Sequence, residues 1–213
     1  MTIDQLYRKI SHDQPAALYI GGKTSTGKST FTHRLRDELG YNIVELEAQL
    51  VDVIKADHLP ERETYKAVFN DKSDSQAKQH FFAACDHAIT TSLTHQPTVI
   101  EGSVANIDTL RRALQAAPHC LMIYFCPDDL DVYIRNLTAR CMAINSHEPG
   151  GLPSTFWRLI DDAEFKTFRR TRVLSDSLKQ TIRKYALESQ RESEHRLHEL
   201  QQHFDDIILV QIQ

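Results

Sequence analysis

The sequence predicts an α/β fold in three layers, with a mainly parallel five-stranded sheet and helices on both faces. Short apolar runs alternate with segments of helical periodicity along the whole chain, which is the pattern of a parallel sheet covered by helices. The length of 213 residues suits one domain with a full core and is short for two. We therefore expect a single domain over residues 1–213.

Each predicted element follows from local patterning. The apolar runs that predict strands lie at 16–20, 41–46, 98–102, 119–125 and 207–210. The fourth run is almost continuously apolar, as expected when both faces of a strand are covered. Helices are predicted for an opening segment with Thr2 as cap, for 29–39, for 77–93, after Asn106, after 127–128, and for a long segment from Ser175.

Composition excludes several classes of partner. The net charge is −4, and lysines and arginines are interspersed with acids, so no nucleic-acid footprint is visible. No run approaches the roughly 18 apolar residues of a membrane span. The four cysteines form no C-x-x-C pair and lie in apolar patterns, which predicts buried thiols in a reducing compartment, hence a cytoplasmic protein without structural zinc.

A glycine-rich stretch, GGKTSTGKST, joins the first predicted strand to the next helix. Gly22-(x)4-Gly27-Lys28-Ser29 fits the phosphate-binding pattern G-x-x-x-x-G-K-[ST] in the strand-loop-helix context it requires. Its amides and the helix dipole favour an anion, so the pattern predicts a nucleotide site. The predicted contacts come from Gly22, Lys23, Thr24, Ser25, Thr26, Gly27, Lys28, Ser29 and Thr30. Lys28 would bridge the β- and γ-phosphates, and Ser29 would hold Mg²⁺.

On this motif the chain resembles the P-loop nucleoside-triphosphate hydrolase superfamily. The segment NDKSD at 70–74 does not fit the guanine signature N-K-x-D, and the run VIEGS at 99–103 lacks the Asp-Glu usual in motor ATPases. The size and element order resemble the small-molecule kinase branch, which implies ATP as donor and a P-loop kinase-like fold. The run TVIEGS at 98–103, with Asp108 and Arg140 further on, is similar to the zeta-toxin-like phosphotransferases.

Two acids are candidates for handling the acceptor hydroxyl, because ligands of open α/β sheets gather at the carboxyl ends of the strands. Glu101 ends the third strand, and its expected role is a contact to Mg²⁺-bound water or to the acceptor. Glu47 follows the second strand, where the zeta-toxin resemblance implies a catalytic base, usually an Asp. Asp52 is its rival, so the identity of the base stays open.

Arginines close to the transferred phosphoryl group are expected from a lid. The resemblance implies that arginines after the fourth strand clamp phosphate, which points to Arg140 and then Arg135, with Arg158 and the group at 169–172 as weaker hints. The loop-like run NSHEPGGLP places the candidate lid at 145–172. The polar stretch 188–195 of the long helix predicts a solvated face, although its length leaves a homodimer contact open.

The sequence thus predicts a kinase that transfers the γ-phosphate of ATP, with Mg²⁺, to a hydroxyl of a small molecule such as a nucleoside, a sugar nucleotide or an antibiotic. The alternative is a nucleotide-binding regulatory protein, or a simple NTPase, whose loop holds ATP without phosphotransfer. Neither nucleic acid nor membrane is an expected partner. The identity of the acceptor does not follow from the sequence.

Overall fold

A computed structural model of the chain describes residues 1–50, 68, 76–94, 97–102, 106–117, 119–143 and 162–212. The strands in these ranges are β1 (Ala17–Gly22), β2 (Asn42–Glu45), β3 (Thr98–Glu101), β4 (Cys120–Pro127) and β5 (Ile207–Ile212). The helices in these ranges are α1 (Ile3–Asp13), α2 (Lys28–Leu39), α3 (Gln76–Ser92), α4 (Ile107–Ala116), α5 (Leu130–Ala143), α6 (Asp162–Thr171) and α7 (Asp176–Gln201).

The strands form one sheet in the order β2-β3-β1-β4-β5, and every pair in it is parallel. The central strand, β1, is paired on both sides, and its residues are buried throughout. In the register, Ile20 lies beside Glu101 of β3, and Gly22 lies beside Phe125 of β4. The carboxyl ends of β1, β3 and β4 therefore meet at one edge of the sheet.

Helices cover both faces of this sheet. Successive residues of β1 point to opposite faces, so they pack into two different core clusters. Leu18 and Ile20 belong to a core cluster with residues of α1 and α2, namely Leu6, Ile10, Phe31 and Leu35. Ala17 and Tyr19 belong to a second cluster with residues of α3, α4 and α7, namely Phe81, Cys85, Ile89, Leu110, Leu114 and Leu200. The predicted α/β fold in three layers, with a five-stranded parallel sheet and helices on both faces, is confirmed.

The polar stretch of α7 packs differently from the prediction. Ser189 and Ser193 are 1% and 0% exposed, so the expectation of a solvated face is wrong for these two residues. Serine is short enough to let a helix approach the sheet closely, and the hydroxyl of Tyr124 reaches Ser193 from β4. Further towards its start, α7 packs on α5 and α6 through a third core cluster that includes Tyr133, Phe168 and Ile182.

The cysteine prediction holds only in part. All four are free thiols, and Cys85 and Cys141 are buried, but Cys120 is exposed and Cys126 is half-buried. Cys120 is the first residue of β4, so it lies at the margin of the sheet. Among the helices that the structure describes, none combines the length and the apolar composition that crossing a membrane requires.

Part of the predicted lid falls outside the described residues. Of the candidate segment 145–172, residues 145–161 lie outside, together with the arginine at 158, while most of the remainder forms α6. The rival base at 52 also lies outside. The single-domain assignment, the lid and the homodimer contact through α7 stay predictions.

Candidate active site

The phosphate loop, which we define as residues 22–29, leaves the carboxyl end of β1 and enters α2. Gly22 has a φ of +127°, and a Cβ on it would lie 2.3 Å from the carbonyl oxygen of Phe125. No other residue fits there without moving the neighbouring strand. Gly27 also has a positive φ, +85°, and begins α2 without a side-chain cap among the described residues. The backbone is thus shaped to offer helix amides to an anion.

Two hydrogen bonds to one carbonyl hold the loop in shape. The hydroxyl of Thr26 donates to the carbonyl oxygen of Lys23 at 2.6 Å, and the ammonium of Lys28 donates to the same oxygen at 2.8 Å. Thr26 and Lys28 are only 1% and 7% exposed. The carbonyl of Lys23 is therefore the acceptor around which the loop is organised.

Lys28 is a buried cation with two acids near it. Burial lowers its pKa below the ordinary lysine value, while the charges of Glu47 and Glu101 act in the opposite direction. A desolvated ammonium interacts more strongly with an incoming anion than one in water does, because the local dielectric is low. This setting suits a group that must bind polyphosphate.

Glu101 joins α2 to β3 through two short hydrogen bonds. Its Oε1 accepts from the hydroxyl of Ser29 at 2.8 Å, and its Oε2 accepts from the hydroxyl of Thr32 at 2.8 Å. Glu101 is 5% exposed and Thr32 is fully buried, so this carboxylate is fixed in place. The structure thus brings the predicted metal-binding hydroxyl of Ser29 directly onto the predicted acid.

Glu47 lies close to Gly102, the residue after Glu101. A Cβ added to Gly102 would come within 3.0 Å of Oε2 of Glu47 and 2.8 Å of Cβ of Leu46, so only glycine at position 102 allows this close approach. The amide of Leu46 donates to the carbonyl of Glu101 at 2.8 Å, which fixes the start of the segment that carries Glu47. Both candidate acids therefore lie near Lys28.

The two candidate arginines differ in position. Arg140, in the last turn of α5, donates from its guanidinium to the hydroxyl of Thr24 at 2.8 Å, which brings it to the phosphate loop. Both arginines are exposed, but Arg135 lies five positions before Arg140 on the helix, a rotation of about 140°. The structure does not bring Arg135 to the loop together with Arg140.

Three contributors to the site were not predicted from the sequence. Thr32 binds Glu101, although its position one turn after Ser29 on the helix was a usable signal. The hydroxyl of Tyr19 donates to the carbonyl of Gly102 at 2.7 Å and lies close to Gly21 of β1. Glu192 of α7 forms an ion pair with Lys23, and no local pattern indicates a contact between residues so far apart in sequence.

A metal ion at this site would depend on the nucleotide for part of its ligands. No cluster of three or more His, Cys, Asp or Glu side chains within the described ranges could hold a metal ion on its own. Mg²⁺ commonly uses one or two protein oxygens with phosphate oxygens and water. Ser29 and Glu101 present such oxygens beside a glycine cradle and an uncapped helix start, so the residues present fit Mg²⁺ with a nucleotide.

The parallel sheet, the glycine loop at the end of β1 and the helix that follows it form one continuous unit. Among solved structures, the chain resembles a candidate kinase from Chloroflexus aurantiacus at 20% identity and a TM-score of 0.45, over 74% of this chain and 79% of that one. It resembles shikimate kinase from Bacteroides thetaiotaomicron at 15% identity and a TM-score of 0.41, over 88% and 98%. It resembles a gluconokinase from Sinorhizobium meliloti at 16% identity and a TM-score of 0.40, over 87% and 97%.

All three of these proteins are named as kinases. They do not test the narrower likeness to zeta toxins. No protein-family model matches the chain, and no curated protein matches it significantly.

Proposed function

We propose that this protein is a kinase that transfers the γ-phosphate of ATP to a hydroxyl group of a small molecule, with Mg²⁺. One observation carries the proposal: buried Lys28 lies near two carboxylates at the end of β1, one of them fixed on Ser29. Phosphoryl transfer needs phosphate binding, a metal position and an acid near the acceptor, and an ammonium, a hydroxyl and carboxylates are the groups suited to these tasks.

The donor side is formed by the phosphate loop and Arg140. The loop amides and Lys28 would bind the phosphates, with Lys28 leaving the carbonyl of Lys23 to do so. Arg140 already reaches Thr24, so it could add a second positive charge at the transferred group. When bound, Mg²⁺ would neutralise phosphate charge as transfer proceeds.

The acceptor side is formed by the two acids. Glu101 is held by two hydroxyl donors, so we assign it to the metal side, where it would orient Ser29 and metal-bound water. The carboxylate of Glu47 lies against Gly102, the residue that follows β3. We assign to Glu47 the role of accepting or orienting the proton of the acceptor hydroxyl.

The experiment that tests the function measures ADP release from ATP and Mg²⁺ in the presence of candidate acceptors. The panel contains nucleosides, UDP-sugars, sugars, aminoglycosides, shikimate and gluconate, and product masses identify the phosphorylated compound. A true acceptor is expected to raise ADP release many-fold over the slow loss of phosphate to water. Tight ATP binding without stimulation by any compound would instead favour the regulatory protein or simple NTPase.

Lys28→Ala tests the role that the proposal gives to the ammonium of Lys28. Loss of the ammonium removes its electrostatic stabilisation of the transferred phosphoryl group, so we expect turnover to fall by roughly 100-fold or more. The variant should keep the wild-type circular dichroism spectrum, since the lysine ends on a loop carbonyl and anchors no core cluster. Near-normal turnover in this variant would contradict the role given to Lys28.

A further inference from the structure

The side chain of Lys23, the first residue of the loop after β1, points to α7. Its ammonium contacts Oε2 of Glu192 at 2.5 Å. The side chain of Lys23 is 20% exposed, and that of Glu192 is 48% exposed. The sequence predicts that Lys23 contacts the nucleotide, but in the structure its ammonium forms an ion pair with Glu192.

The same residue also supplies the carbonyl that organises the loop, since Thr26 and Lys28 both donate to it. A side chain anchored at its far end restricts rotation of its own peptide group. The contact with Glu192 therefore affects the position of Lys28 indirectly. Glu192 holds the side chain of Lys23, and the carbonyl of Lys23 accepts the hydrogen bond from Lys28.

The backbone at Glu192 is firmly anchored. The next residue, Ser193, is fully buried and exchanges two hydrogen bonds with the hydroxyl of Tyr124, at 3.2 and 3.3 Å. Tyr124 lies beside Gly21 in the register of β4 and β1. The point of attachment on α7 is thus fixed relative to the strand from which the phosphate loop leaves.

From these contacts we propose that Glu192 is a positioning residue: its ion pair with Lys23 holds the phosphate loop in the conformation that accepts a polyphosphate. The pair persists in the nucleotide complex, and Lys23 contributes its backbone, not its ammonium, to phosphate binding. This inference rests on the proposed nucleotide site and assigns to it a contact from outside the loop.

In the alternative model, Lys23 leaves Glu192 and binds the phosphates. The two models predict opposite changes in the affinity of Glu192→Gln for ADP. If the pair positions the loop, Glu192→Gln weakens ADP binding. If Glu192 only restrains a phosphate-binding lysine, Glu192→Gln frees that lysine and tightens binding. The sign of the change in Kd therefore decides between the two.

The experiment measures the Kd of Mg-ADP by isothermal titration calorimetry. We expect Lys23→Met and Glu192→Gln each to weaken binding by about 2- to 5-fold, the range of a partly exposed ion pair. The double variant should be no weaker than the single ones, since both remove the same contact. Lys23→Arg, which keeps the positive charge facing Glu192, should bind Mg-ADP more tightly than Lys23→Met does.

The control is Lys9→Met, which breaks an exposed ion pair with Asp13 within α1, outside the phosphate loop. It should leave the Kd unchanged, and its melting temperature should resemble those of the test variants. Tighter binding by Glu192→Gln, or additive losses in the double variant, would overturn the proposal.

A second readout works without nucleotide. In the free protein, the amides of 23–27 should exchange hydrogen about 2- to 5-fold faster in Lys23→Met and Glu192→Gln than in the wild type. Unchanged exchange would overturn the positioning role. If wild-type protein failed to bind nucleotide, the proposed function would fall, while the exchange rates would still decide whether Glu192 holds the loop.

Discussion

The carboxylate of Glu101 shows how one residue can serve both stability and chemistry. It accepts hydrogen bonds from Ser29 and Thr32 while it is almost fully buried. A buried carboxylate without donors would be strongly unfavourable, so the hydrogen bonds from these two hydroxyls offset the cost of burying it. The arrangement fixes the position of Ser29, the candidate magnesium ligand.

Replacing Glu101 with Gln tests both functions of this residue. The amide can accept through one oxygen only, so one hydroxyl loses its partner, and we expect a loss of about 1–3 kcal/mol in the free energy of unfolding. Phosphoryl transfer should fall by roughly 100-fold, because the metal side loses its charge. Urea denaturation and ADP release measure the two effects. Thr32→Ser, which keeps a hydroxyl, is the control, and a Glu101→Gln enzyme with the wild-type rate would refute the metal-side assignment.

Gly22 tests the shape of the loop. Gly22→Ala would place a methyl group 2.3 Å from a backbone oxygen of β4, in addition to requiring a positive φ. Gly40→Ala is the matched control, because Gly40 also has a positive φ, +75°, but has nothing within 4 Å of its added Cβ. We expect Gly40→Ala to cost about 1 kcal/mol and Gly22→Ala about 1–3 kcal/mol more, measured by urea denaturation. Equal losses in the free energy of unfolding for the two variants would mean that the close contact with β4 adds nothing to the cost of Gly22→Ala.

At the level of residues, the phosphate loop was the most predictable part of the site. Its motif is local, so the eight positions and their context suffice to place Lys28 and Ser29. The contacts of Tyr19 and Glu192 could not be predicted, because each depends on which strand or helix lies next to the loop in three dimensions. Periodicity within one element does not contain that information.

At the level of elements, all five strands were predicted, with ends that differ by up to two residues. β4 runs on to Pro127, past the predicted end at Phe125, because pairing with β5 continues to that proline. Helix α2 begins at Lys28, one residue before the prediction. These strands were recognisable because central parallel strands are apolar on both faces, whereas the end of a strand depends on its neighbours.

The polar part of α7 was mispredicted for a related reason. Serine has no hydrophobic signal, so the buried positions Ser189 and Ser193 read as part of an exposed face. What buries Ser193 is its hydrogen bonding with Tyr124, a partner on another element. A small polar residue can thus mark a close helix-sheet contact as well as a solvated surface.

The contact between α7 and β4 can be tested directly. Tyr124→Phe removes the hydroxyl that bonds with Ser193, and we expect a loss of about 1 kcal/mol in the free energy of unfolding. Nucleotide affinity should fall slightly too, since the backbone beside Glu192 is less firmly held. Tyr7→Phe, at a partly buried tyrosine of α1, serves as control, and thermal denaturation with calorimetric titration gives both quantities. Identical behaviour of Tyr124→Phe and wild type would contradict this account of α7.

For the whole molecule, stability at alkaline pH should reflect its buried thiols. Burial raises the pKa of Cys85 and of Cys141 to about 12, from an ordinary value of 9.0. In the unfolded chain these thiols would ionise from about pH 9, whereas the folded protein holds the proton up to about pH 12. The free energy of unfolding should therefore be unaffected below pH 9 and should decline between pH 9 and 12.

Urea denaturation at pH 8 to 10.5 measures this decline. Cys85→Ala should make the free energy of unfolding fall less steeply with pH, because the variant lacks one group whose proton is held more tightly in the folded state. Cys120→Ala is the matched control, since Cys120 is exposed, and its slope should equal that of the wild type. A decline that neither variant alters would assign the effect to other groups, such as the buried Tyr19.

The ion pair of Lys23 and Glu192 has a consequence for protein synthesis, since 169 positions separate the two residues. Translation at roughly 5–20 residues per second delays the second residue by about 10 to 30 s. During that interval the emerging chain carries the glycine motif without its distant support. Ribosome-bound intermediates that lack α7 should consequently bind nucleotide at least about 2- to 5-fold more weakly than the finished protein. Full affinity is then reached only after α7 has emerged, long after the motif itself is made.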